Sequence, residues 1–205
     1  MNRSRFLLSL LLIFLSFSVL WNVSLMAQEL RIGRKAPKFE LPELIGDSIY
    51  ASKDIFPQHE LTVLILWTSY CPDCWVALKS CRDLDTTLAK MNVAIIGINF
   101  DTEKLATVRG FIKGEKINFV NLSDYQKKVA RVYKAESYDF STFIVDKNGI
   151  LRYVSYDHPP DVDRIILQEV ERILKAKEND TNKNKNKPEE PEESEESKEN
   201  RDRKT

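Results

Sequence analysis

The chain has 205 residues, 42% of them hydrophobic, and its 31 Lys+Arg are matched by 31 Asp+Glu. A chain of this length buries one substantial core, and the missing basic surplus argues against a nucleic-acid partner, whose phosphates are held by excess Lys and Arg. Three cysteines are too few for a disulfide-stapled scaffold or a four-thiolate zinc site, so cysteine chemistry here rests on a pair or on a single thiol.

At the start of the chain, Arg3 and Arg5 precede an apolar run from Phe6 to Trp21 broken only by Ser9, Ser16 and Ser18. A positive cap followed by such a run is the pattern of an export signal. Ala27 suits the position before a cut, whereas Leu25 is larger than signal peptidases usually accept. Residues 1–27 therefore read as a signal peptide or an uncleaved anchor, with 6–27 as an inner-membrane tether, and the expected location is periplasmic or otherwise extracytoplasmic. At the other end, Lys177 to Thr205 contains no hydrophobic residue, which predicts a disordered charged tail over 177–205. The domain is expected over 28–176.

Within that domain, Leu61 to Trp67 is a continuous β-rich apolar run, as expected of a strand covered on both faces. A helix follows from about Cys74 to Lys90, and Val93 to Phe100 is a second buried run. Asp101 is expected to cap a helix starting near Thr102. Phe119 to Leu122 forms a short strand, and Ser123 caps a helix running to about Tyr133. Thr142 to Asp146 leads into Asn148-Gly149, the strongest short hairpin signal, with Ile150 to Tyr156 as the returning strand. Asp161 then caps an amphipathic helix whose Val162, Ile165, Ile166, Val170, Ile173 and Leu174 share a face. The order βαβα then βαββα defines an α/β fold, a mixed sheet with helices on both faces.

The chemical centre is Cys71-Pro72-Asp73-Cys74, at the junction between the first buried strand and its helix. Unpaired backbone donors and the helix dipole favour a thiolate on Cys71, and Cys74 lies within the first turn, close enough to resolve a mixed disulfide. A static disulfide and half of a metal site are the alternatives for the same pair. Cys81 lies on the inward helical face with Cys74 and Leu78, too far along the axis to pair with Cys74, and reads as a buried, inert thiol. Trp67 and Tyr70 flank the dithiol as aromatic residues able to pack or to meet a substrate.

Three stretches carry a resemblance: Gly33-Arg-Lys-Ala-Pro-Lys-Phe-Glu-Leu-Pro42, Trp67-Thr-Ser-Tyr-Cys-Pro-Asp-Cys74 and Thr142-Phe-Ile-Val-Asp-Lys-Asn-Gly149. Together they resemble the TlpA/ResA branch of the thioredoxin-fold proteins, over about Ile32 to Leu174. The resemblance implies a thioredoxin-like fold and an extracytoplasmic thiol-disulfide oxidoreductase acting as a reductant, with Cys71 attacking and Cys74 resolving. It implies a protein thiol or disulfide as substrate and an upstream thiol-disulfide electron donor, and calls for no cofactor. Trp67, Tyr70, Pro72, Phe140 and Ser141 are the expected substrate contacts.

Two departures from that pattern stand out. Such proteins open the last long strand with a cis-proline, two small residues and Phe, whereas this chain reads Phe140-Ser141-Thr142-Phe143. A cis bond before a non-proline residue costs about 2.5 to 4 kcal/mol, so a trans peptide is expected at Phe140. They also carry a buried acid at the position of Ile65 or of Ala77. Asp73 is the nearest acid here, and as a like charge it opposes the thiolate and favours a reducing couple. His158, expected after the hairpin on the same rim, makes a copper- or zinc-binding set with Cys71 and Cys74 the rival reading. A redox-inactive interaction module is the third. A peroxidase reading ranks lower, because Leu64 stands where peroxiredoxins place the proline of their nucleophile motif.

Overall fold

The computed structural model describes residues 30–156 and 160–185. The segment expected to be a signal or anchor, His158, and the tail from residue 186 lie outside the described residues. The chain divides into two compact units, residues 1–167 and residues 168–205.

The first unit opens with a short antiparallel pair, β1 (Glu40–Pro42) and β2 (Ile49–Ala51). A single-turn helix α1 (Ser52–Ile55) and a 3-10 turn (Phe56–Gln58) lead into β3 (Leu61–Trp67). Then come α2 (Pro72–Ala89), β4 (Val93–Asn99), α3 (Leu105–Gly114), β5 (Val120–Ser123), α4 (Lys128–Val132), β6 (Phe140–Asp146), β7 (Leu151–Ser155) and α5 (Val162–Lys185). The main sheet has the order β5-β4-β3-β6-β7. β4 runs parallel to both β3 and β5, and β6 is antiparallel to β3 and β7. β3 and β6 are central and buried along their whole length, which explains their unbroken apolar character.

Helical residues lie against both faces of the sheet. On one, Leu64, Leu66, Phe143 and Val145 join a core with Phe39, Phe56 and Tyr133, whose ring meets Phe143 edge-on at 4.9 Å. On the other, Trp67 lies 6.4 Å from Phe111 of α3. Along α2, Cys74, Leu78, Cys81, Leu84 and Leu88 recur every three or four residues and are all buried, so one stripe of the helix supplies its contacts.

Three expectations are corrected. The helix expected near Thr102 begins at Leu105, behind Lys104 in a left-handed conformation (φ 60°), because the Asp101 carboxylate is turned toward the backbone of Ser69 instead of capping the helix. Ser123 ends β5 rather than capping α4. Asp124 does that work, accepting the N–H groups of Lys128 (2.9 Å) and Ala130 (2.8 Å). Helix α5 continues to Lys185, so residues 177–185 are helical and not a disordered tail. Apolar residues are needed to bury a helix, not to propagate it, and Lys, Glu and Asn extend one at small cost per residue. The second unit begins within this helix, where Arg172 pairs with Glu169 one turn away at 2.6 Å. Among the described residues no helix is long and apolar enough to cross a membrane.

Candidate active site: the Cys71–Cys74 pair

β3 delivers the chain to the sheet edge at Trp67, and Thr68 to Cys71 turn it into α2. Cys71 is the N-cap, in extended conformation (φ −102°, ψ 110°), and Pro72 follows at the first helical position, where its missing N–H costs nothing. The Cys71 sulfur accepts the N–H of Cys74 at 3.1 Å. The two cysteines form a disulfide, their Cα atoms 5.3 Å apart. Cys71 keeps 8% of its surface open and Cys74 none, so an incoming group meets Cys71 first. In the dithiol, the same N–H and the positive end of an 18-residue helix stabilise a Cys71 thiolate. Cys74 Sγ lies 3.6 Å from the Asp139 carbonyl oxygen, an acceptor for its proton when reduced.

The loop before Cys71 is anchored from three directions. The Thr68 N–H donates to the Asp139 carbonyl at 2.9 Å, and its hydroxyl donates to Asp139 Oδ1 at 3.2 Å. The Ser69 N–H donates to both Asp101 oxygens, at 3.0 and 3.2 Å. The Ser69 carbonyl accepts the Trp75 indole N–H at 3.0 Å, and Trp75 packs edge-on against Phe111. Asp101 is only 1% exposed and is itself held by Asn99, whose amide donates to Asp101 Oδ2 at 3.0 Å and to the Trp67 carbonyl at 3.3 Å. Asn99 escaped the sequence reading, and Asp101 entered it only as a helix cap. Their signal was two polar residues alternating at the end of an apolar parallel strand, the edge where α/β folds gather their sites.

The expected substrate contacts separate into two groups. Tyr70 is 52% exposed, with the Lys104 ammonium 4.9 Å from its ring centroid, and Pro72 and Asp73 are exposed beside it. The Tyr70 phenol is pushed above its ordinary range by partial desolvation and by the charges of Glu103 and Asp101. Trp67, Phe140 and Ser141 are corrected: all three are buried, so their side chains offer no surface to a docking protein. The Trp67 indole is spent on Asn121 Oδ1, at 3.2 Å. That bond requires glycine at 97, because a Cβ there would lie 2.1 Å from the same oxygen.

Among the described residues no peptide bond is cis, including the one before Phe140. Ile65 and Ala77 are buried and apolar where the family pattern has an acid. Cys81 is buried and unpaired, its thiol pushed up to about 12 by burial and by the charge of Asp163. His158 lies outside the described residues, and among those described no group of three or more His, Cys, Asp or Glu is placed to hold a metal.

A cysteine pair at the mouth of a helix, on a five-stranded mixed sheet with helices on both faces, defines a thioredoxin-like fold. The AhpC/TSA family model matches residues 32–154, and the chain belongs to that family. It is 26% identical over 152 residues to the thiol-disulfide oxidoreductase ResA of Geobacillus kaustophilus, covering 72% of this chain and 82% of that one. It is also 27% identical over 139 residues to the peroxiredoxin Bcp of Escherichia coli, covering 62% and 86%. Among solved structures it is similar to a DsbE-type thiol:disulfide interchange protein from Chlorobium tepidum, with a TM-score of 0.63 at 20% identity over 71% of this chain and 99% of that one. The peroxidoxin BcpB from Mycobacterium tuberculosis is similar at 0.61 and 20% identity, over 71% and 99%. At such identity the structural likeness is one of fold.

Proposed function

We propose that the chain is an extracytoplasmic thiol-disulfide oxidoreductase that reduces disulfides in protein substrates. The Cys71 thiolate attacks one sulfur of the substrate, forming a mixed disulfide and releasing the other sulfur as a thiolate that takes up a proton. Cys74 then loses its proton and attacks Cys71 Sγ, which closes the Cys71–Cys74 bond and expels the second substrate thiol. An upstream dithiol donor returns two electrons and two protons to the pair. Exposed Tyr70 and Pro72 receive the substrate, and Asp73 weights the couple toward reduction.

The observation that carries this reading is the bond from the Cys74 N–H to the Cys71 sulfur, with Cys71 8% exposed and Cys74 fully buried. The test equilibrates intact protein across a glutathione series and counts thiols by alkylation. A two-electron transition, with insulin reduction lost in Cys71→Ser and kept in Cys81→Ser, supports exchange. A pair that never changes state overturns it in favour of a redox-inactive module. Protection of the thiols by copper(I) or zinc, lost in His158→Ala, points to the metal carrier instead.

A peroxidase reading is favoured by the peroxiredoxin among the relatives. Consumption of hydrogen peroxide driven by a small dithiol, at a rate above insulin reduction, would put that reading first.

A further inference from the structure

The end of the sheet opposite the dithiol carries a second feature. β3 pairs Trp67 with Phe140 beside the cysteines and Leu61 with Asp146 at its far end, a span of about 20 Å at about 3.3 Å per residue. The segment around Lys35 is strapped across the hairpin there, by the Ala36 N–H to the Gly149 carbonyl (2.8 Å) and the Leu151 N–H to the Arg34 carbonyl (2.8 Å). Strapped in this way, it helps enclose a cavity of about 540 Å³. Lys35, Lys38, Lys53 and Lys147 all line it, above Phe56 and Pro57, and no carboxylate or arginine does.

Two of the four ammonium groups are held by neighbouring groups. Lys35 donates to the Asn148 carbonyl, and Lys147 pairs with Glu60 at 2.7 Å. Among the described residues Lys38 and Lys53 have no carboxylate within ion-pair distance. Cations gathered around one hollow repel one another, and an anion placed among them removes that repulsion. The volume falls in the range of small-molecule sites, roughly 300 to 1,000 Å³. Lysine supplies mobile point charges, whereas planar carboxylates are matched by the fixed fork of arginine, absent from this lining. A compact multivalent phosphate satisfies each of these conditions.

We propose that this cavity binds a phosphate-bearing ligand, with Lys38 and Lys53 as its main cations and Lys35 and Lys147 at the rim. The site is separate from the dithiol and does not rest on the redox reading. Because point charges select valence rather than shape, affinity rises from orthophosphate to pyrophosphate to tripolyphosphate. Calorimetric titration of the intact protein with these three anions tests the order. Tripolyphosphate binding is expected to weaken about tenfold between about 20 and about 200 mM salt. It is expected to weaken at least as much in Lys38→Gln/Lys53→Gln, and to persist in Lys113→Gln, a distant exposed lysine. Thermal melting checks that the variants are folded. No detectable binding at low salt, or equal weakening by the Lys113 and double variants, overturns the proposal. Co-sedimentation with phosphatidylglycerol vesicles identifies the source of the phosphate. Sedimentation displaced by tripolyphosphate assigns the site to a lipid headgroup, and tripolyphosphate binding without sedimentation assigns it to a soluble ligand.

Discussion

In the proposed couple the α2 terminus and Asp73, two positions past Cys71, act on the Cys71 thiol in opposite senses. The helix favours the thiolate, and the exposed carboxylate of Asp73 opposes it. Replacing Asp73 by Asn removes the opposition and is expected to raise the reduction potential, on the order of 10 mV, in a glutathione equilibrium. Cys81 answers first to burial and second to the charge of Asp163. Its thiol is pushed up to about 12 from an ordinary value of 9.0, so the folded protein holds that proton more tightly than the unfolded chain does. Its contribution to stability is whole below pH 9.0 and is lost as pH rises toward about 12, and Cys81→Ala is expected to flatten that alkaline loss in denaturant melts. Iodoacetamide near neutral pH should therefore label Cys71 in the reduced native protein, and Cys74 and Cys81, both fully buried, only after unfolding. The placement of Cys74 and Cys81 on one buried face could be read from spacing, because a helix fixes which thiols share a face. The burial of Trp67 could not, because it depends on α3 and on Asn121, distant in sequence and adjacent only in the fold.

The short loop between β3 and α2 depends on residues of other strands more than on its own. Asp101→Ala leaves the Ser69 N–H without its partner and should cost about 1.5 to 3 kcal/mol in a denaturant titration, with Asp101→Asn milder because one acceptor oxygen remains. Gly97→Ala forces Asn121 away from the Trp67 indole and should cost about 1 to 3 kcal/mol. The long strands and α2 were legible because their apolar runs and stripes extend over several residues. Helix starts were less so. Asp101 and Asp124 each have several backbone donors within reach, and pattern alone does not say which one the fold supplies. β1, β2 and α1 are too short to express any period.

Taken as one object, the sheet places its sulfur chemistry at one edge and a lysine-lined hollow at the other, so charge balance over the whole chain concealed a local excess of cations. If the couple is reducing, the folded chain favours the disulfide over the dithiol, and a thermodynamic cycle then requires the oxidised protein to be the more stable form. Oxidised protein is expected to melt above reduced protein in paired thermal scans, and the reverse order would mark an oxidant.

The moorings of Thr68 and Ser69 to Asp139, Asp101 and Trp75 do not pass through either sulfur. Making or breaking the covalent link between the cysteines therefore leaves the surrounding main chain where it was. Amide spectra of the two forms should superimpose except next to residues 71 and 74 and at Thr68, whose N–H shares the Asp139 carbonyl with Cys74 Sγ, and a partner that tells them apart must do so by touching the sulfurs themselves.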